Sequence, residues 1–242
     1  MTKNYATSIQ KKLRQQLKMG ADPQRAEQQQ RYMKSSIPFA GLTAPILRKT
    51  CRSIYAEFPP PSKEDWIQAM QTLWYEAKVR EEKHAAIEFL NVTKLRKQWL
   101  NPEDLDWLEA IIQSGAWWDY VDAIATQHVS FLLKTFPQPI TKAMYRLAQH
   151  EDVWLRRTSI LSQLKFKEQT DEDLLFFAIE HSVLDNDFFA RKAIGWALRE
   201  YSKTKPEVVI KYIEDNHQQL SPLSKREGLK VLLKQGVVQK VP

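Results

Sequence analysis

The chain has 242 residues but only 6 glycines and a single cysteine. Sandwiches, barrels and glycine-lined nucleotide sites depend on positive-φ turns, which glycine adopts without steric cost. An all-β fold and a dinucleotide-binding domain are therefore both disfavoured. The lone Cys51 excludes an internal disulfide and a cysteine-based zinc site, and it fits a reducing compartment. No apolar run approaches the ~20 residues a membrane span needs. The polar, amphipathic N-terminus has no apolar core of signal-peptide length. The expectation is a soluble, cytoplasmic, monomeric protein with no membrane association. The motifs GxxxxGKS/T, GxGxxG, GxSxG and HExxH are all missing. His84, His128, His150, His181 and His217 show no ligand spacing, so neither a metal nor a cofactor is expected. A glycine-rich helix-hairpin-helix is missing too.

Charge of both signs is present but unevenly placed. The formal net charge is +7, and residues 1–62 hold 11 Lys and Arg against 3 Asp and Glu. The remainder is close to balanced. A basic surface attracts phosphate polymers through counterion release, and it is equally what a solvated helical face looks like. Lys78, Arg80 and Lys83, surrounded by Glu76, Glu81 and Glu82, read as such a solvated face, with groove contact as the other reading.

Apolar residues recur at helical spacing nearly throughout, and no alternating run suggests a strand. Helix starts are marked at Asp22-Pro23, Pro61-Ser62, Asn101-Pro102, Pro139, Asp152, Asp171, Asn186, Lys205-Pro206 and Ser221-Pro222. A small residue followed by an aliphatic one recurs as Ala86-Ile87, Ala123-Ile124, Ser159-Ile160, Ala193-Ile194 and Gly228-Leu229, at spacings of 37, 36, 34 and 35. Units of about 35 residues fit two antiparallel helices that bury their apolar faces only by stacking. This predicts an all-α, HEAT-like helical-repeat solenoid. It would form a single domain over 1–242, with basic helices of about 1–62 packed on repeats of about 63–236. Three positions before each aliphatic residue stand His84, Val121, Arg157, Arg191 and Arg226, mostly basic. On the second helix of each pair they would line a concave, basic groove suited to a rod-like polyanion such as DNA.

Trp117-Trp118-Asp119-Tyr120-Val121-Asp122 is the densest constellation. Trp118 and Asp122 are one turn apart on a shared helix face. A carboxylate in a basic groove repels phosphates, which leaves two readings: a group used in chemistry, or a structural acid paired with a neighbouring arginine beside two core tryptophans. In Trp154-Leu155-Arg156-Arg157 the arginines point about 100° apart, and Arg157 is the better phosphate candidate. Gly195 lies inside a helical stretch with Trp196 and Arg199. It costs about 1 kcal/mol against alanine there, which points to close packing.

These segments, together with Arg31-Tyr32-Met33-Lys34, Gln163-Leu164-Lys165, Lys192 through Tyr201 and Ser221 through Glu227, resemble the AlkD-like DNA alkylation repair family. The resemblance runs from about residue 25 to residue 235 and is weakest over residues 36–110. It implies a DNA glycosylase built of HEAT-like repeats that removes cationic N3- and N7-alkylated purines, such as 3-methyladenine and 7-methylguanine, from double-stranded DNA. Its catalytic positions fall on Trp118, Asp122 and Trp196. Its groove-lining DNA contacts fall on Tyr32, Arg157, Lys165 and Arg199, to which the repeat adds Arg191 and Arg226. The competing expectations are a noncatalytic HEAT-like module that binds distorted or branched DNA, and a protein-binding scaffold.

Overall fold

The structure, a computed structural model, describes residues 2–242, with side chains from residue 5 onward. It is all-helical, with no strand among the described residues. Contacts divide the chain into two compact units, the first ending at Leu100 and the second spanning Asn101–Pro242.

The first unit holds α1 (Thr2–Met19), α2 (Pro23–Met33), α3 (Ala44–Glu57), α4 (Lys63–Tyr75), α5 (Arg80–Leu90) and α6 (Thr93–Trp99). α1 packs on α3, α4 and α5 and buries Leu13 and Leu17, while α4 and α5 contribute Trp66, Met70, Leu73, Trp74 and Phe89. Asp22 and Ser62 cap α2 and α4 by accepting the Arg25 and Asp65 backbone N–H groups. The buried carboxylate of Glu81 accepts the backbone N–H groups of Ala40, Gly41 and Leu42 at 2.9, 2.9 and 3.1 Å, which pins the loop that follows α2. Gly41 sits at φ +92°, where a Cβ would fall 2.1 Å from the Asp22 carbonyl oxygen, so only glycine fits. Of the acids beside Lys78, Arg80 and Lys83, Glu81 and Glu82 are therefore interior braces, while Glu76 is exposed. Arg80 is itself buried, and Lys83 lies 4.6 Å from the Trp74 ring centroid, so of these three basic residues only Lys78 is a solvated charge. Burial of the glutamates, with their backbone and Arg14 partners, is what the solvated-face reading missed.

The second unit holds α7 (Leu105–Gly115), α8 (Trp118–Ala123), α9 (Ser130–Thr135), α10 (Pro137–Ala148), α11 (Val153–Leu161), α12 (Glu172–Glu180), α13 (Phe188–Tyr201), α14 (Pro206–Asp215), α15 (Pro222–Gly228) and α16 (Lys230–Lys234). Between α8 and α9 the helix continues as a π segment, Ile124–Val129. Consecutive helices joined by short loops pack as hairpins, α10 on α11 and α12 against α11 in turn, and α13 packs on α11, α14 and α15. The five small-aliphatic pairs fall on α5, the α8–π junction, α11, α13 and the end of α15. Ile87, Ile124, Ile160, Ile194 and Leu229 are all buried, as a repeat requires.

Asn101, Asp152, Asp171 and Ser221 cap their helices with side-chain oxygens, as their sequence positions suggest. Two starts shift. Asp187, not Asn186, caps α13, because its carboxylate accepts both the Phe189 and Ala190 N–H groups. α10 begins at Pro137, two residues before the Pro139 marker. Among the described residues no helix is long and apolar enough to cross a membrane.

Candidate active site

The site grows from the start of α8. Ala116 closes α7 in the left-handed region (φ +40°), and Trp117 follows as the extended N-cap residue of α8. The chain thus turns sharply before presenting two tryptophans in succession. Trp117 turns inward, its ring 6.3 Å from that of Trp154 on α11 and 5.4 Å from that of Phe189 on α13. Trp154 and Phe189 are themselves 4.9 Å apart, which completes an aromatic triad joining three repeats. Trp118, the next residue, is half-buried and lies one turn before Asp122 on the same face.

Asp122 is held by Arg157. Nε donates to Oδ1 at 2.7 Å and Nη2 donates to Oδ2 at 2.9 Å, a two-pronged pairing that fixes the plane of the carboxylate. The remaining Nη1 donates to the Phe189 carbonyl oxygen at 2.5 Å, in the first turn of α13. The arginine side chain is 5% exposed and the aspartate side chain 16%, so the acid is the member of the pair that reaches the surface. Burial pushes the Asp122 carboxyl above the ordinary aspartate value, the hydrogen bonds and charge of Arg157 oppose this, and Asp119 adds to it. α8 and α13 both pack on α11, so Arg157 ties the helix with Trp118 and Asp122 to the helix with Trp196. Trp196 stands two turns beyond Phe189, half-buried against the core of the second unit.

This arrangement corrects the expectation for Arg157. It is not a solvent-facing cation awaiting phosphate, because two of its donors are spent on Asp122 and a third on a carbonyl. The structural pairing foreseen for Asp122 exists, and the same pairing orients the carboxylate. Arg156 is also occupied. Its Nη1 donates to the His150 and Glu151 carbonyls, both at 2.7 Å, and its Nη2 pairs with Asp185. Arg191 turns into the loop before α13, with Nε on the Asp185 carbonyl at 2.8 Å and Nη2 on Asn186 Oδ1 at 2.5 Å. The repeat's basic positions therefore do not converge as a row of free charges.

Other candidates are more open. Arg226 is exposed, and so is Lys165, which lines a cleft of about 490 Å³ with Gln163, Lys167, Tyr201 and Lys203. Arg199 is half-buried and donates to Glu227 Oε2 at 2.7 Å. In the first unit Tyr32 is 77% exposed in the last turn of α2. Sequence reasoning missed the Phe189 carbonyl, the Arg156 brace and Glu227. A signal existed for the first: Arg157 lies 35 residues from Asp122 and 32 from Phe189, one repeat length in each direction. Among the described residues no group of three or more His, Cys, Asp or Glu is placed to hold a metal ion.

No curated protein matches the chain. A solved structure described as a predicted DNA alkylation repair enzyme from Enterococcus faecalis is similar, with 32% identity and a TM-score of 0.79 over 88% of this chain and 97% of that one. The family model for DNA alkylation repair enzymes matches residues 13–232. With the fold, the length and the sequence all in agreement, the chain belongs to the DNA alkylation repair enzyme family.

Proposed function

We propose that the protein is a monofunctional DNA glycosylase of the AlkD-like, HEAT-repeat type. It would hydrolyse the N-glycosidic bond of cationic N3- and N7-alkylated purines in double-stranded DNA. The observation that carries the reading is the Asp122 carboxylate, oriented through both oxygens by a buried arginine and set one turn from Trp118. An alkylated purine carries a positive charge and leaves as a neutral base, so no acid has to protonate it first. Positive charge then develops on the sugar, as in other glycoside cleavages. A preoriented carboxylate stabilises that charge where it forms. Arg157 occupies two of the roughly four lone-pair directions on the carboxylate, and the others remain for a water molecule that adds to C1′. Trp118 and Trp196 would offer ring faces to the cationic sugar, at about 0.5–2 kcal/mol each.

Arg157 takes the role of positioning Asp122, while DNA contacts are assigned to Tyr32 in the first unit and to Lys165, Arg191, Arg199 and Arg226 in the second. Selectivity then follows from the lability of the cationic lesion, so neutral lesions react poorly and bulky cationic adducts are accepted. The competing reading is a noncatalytic module for distorted or branched DNA. It is favoured by the engagement of both Asp122 oxygens in an ion pair. Base release from randomly methylated duplex DNA, with products separated by mass, decides between them. Asp122→Asn is expected to lower 7-methylguanine release by about 100-fold or more while duplex affinity is retained. Release at the parent rate would overturn the mechanism, and no release by the parent protein would favour the noncatalytic reading.

A further inference from the structure

On α13, Lys192 and Arg199 stand two turns apart on one face, with Gly195 between them. Glu227 of α15 reaches into that gap. Its Oε1 lies 3.2 Å from Lys192 Nζ and its Oε2 accepts from Arg199 Nη1 at 2.7 Å. The glycine makes this possible, because a Cβ at residue 195 would lie 2.6 Å from the Glu227 Cβ and 3.0 Å from the Ser224 carbonyl oxygen. Lys230 also acts on Glu227, and with Lys192 and Arg199 it holds the glutamate below the ordinary carboxylate range against the effect of burial. The cluster thus sets two cations against one acid. A brace between two helices needs one cation, and the surplus is unexplained by packing.

Two donors converging on two anionic oxygens are equally suited to a phosphate, for which a guanidinium with an ammonium is a common receptor. Lys192 and Arg199 are only partly covered, with 37% and 23% of their side chains exposed, so an incoming anion can reach them. Trp196 lies on the same stretch of helix, four residues after Lys192 and three before Arg199.

We propose that Lys192 and Arg199 form a seat for a DNA backbone phosphate, and that Glu227 is a built-in phosphate mimic which DNA must displace to enter it. The inference rests on the DNA-binding reading above and adds Lys192 to the contacts. A competitor on the same chain weakens every duplex alike, because the seat is available only in the fraction of molecules whose glutamate has let go. The protein then leaves undamaged DNA readily.

The test is binding of undamaged duplex DNA at several salt concentrations by the parent chain, Glu227→Gln and Lys192→Gln. Glu227→Gln is expected to bind roughly three- to tenfold more tightly at low salt, with a slope of log affinity against log salt steeper by about one. Lys192→Gln is expected to bind more weakly with a shallower slope, and thermal melting checks that both variants are folded. If Glu227→Gln binds no more tightly and its slope is unchanged, Glu227 is a helix brace and the proposal is wrong. If Glu227→Gln does not fold, an unchanged affinity and slope in Lys192→Gln overturns it. The readout involves no base release, so it separates cleanly from the glycosylase reading. A Glu227 effect without an Asp122-dependent reaction overturns only the chemistry, and the converse overturns only the phosphate seat.

Discussion

A single buried arginine decides how the central acid behaves. Burial alone would drive Asp122 toward its neutral form, which could not serve the proposed stabilisation of a cationic sugar, and Arg157 restrains that drift. Arg157→Gln removes both the charge and the two-pronged grip. Base release at neutral pH is expected to fall, and the acid limb of the single-turnover pH profile is expected to move to higher pH. The sign follows because the carboxylate must be ionised to act and its pKa rises once the opposing arginine is gone. An acid limb that stays in place would show that another group sets it. The substitution also leaves a largely buried acid uncompensated, so unfolding free energy is expected to drop by about 3 kcal/mol, measurable by urea titration. The identities of Trp118, Asp122 and Arg157 were legible as notable residues in the sequence. That Asp122 pairs with an arginine was one of its two readings, but that the partner is Arg157 was not legible, because spacing places a residue on a helix face without saying whether its side chain turns to solvent or to the neighbouring repeat.

At the scale of helices, the recurring small-aliphatic pairs revealed the stacking period, since close approach leaves little choice of residue at those points. Gly195 shows how literal that constraint is. Although alanine is the better helix former by about 1 kcal/mol, Gly195→Ala is expected to lose about 1–3 kcal/mol, because the added methyl group drives into the Glu227 Cβ and the Ser224 carbonyl. A stability equal to the parent's by thermal melting would mean that α15 yields without resistance. The π segment Ile124–Val129 was not legible at all. Ile124 still reads as an ordinary core residue, and the extra residue in the turn is absorbed without a proline or glycine to announce it. Such segments gather at functional sites, and this one begins two residues after Asp122. Helix caps were the most readable feature, because an Asp, Asn or Ser before a helix meets otherwise unpaired N–H groups and has few other uses there.

For the whole chain, charge and chemistry are divided between the two units. The first unit carries 18 Lys and Arg against 9 Asp and Glu, and the second carries 18 against 20, although every residue proposed for the reaction lies in the second. A fragment of residues 101–242, with its own buried core, is expected to remain helical and to melt cooperatively. Its duplex affinity should be lower than that of the full chain, with a shallower salt dependence, because the positive charge of the first unit is gone while the contacts proposed for the second remain. Comparable affinity for fragment and full chain, read by fluorescence anisotropy, would show that the charge of the first unit contributes nothing to duplex binding. The line from Asp122 through Arg157 to the Phe189 carbonyl has a last consequence. Arrays of repeats lengthen and shorten by whole units, and most of their joints tolerate it. Here the line spans three successive repeats within the second unit, so a repeat duplicated or lost between Trp117 and Arg199 would separate the acid from its arginine or the arginine from its anchor. Growth of the array is thereby confined to its two ends.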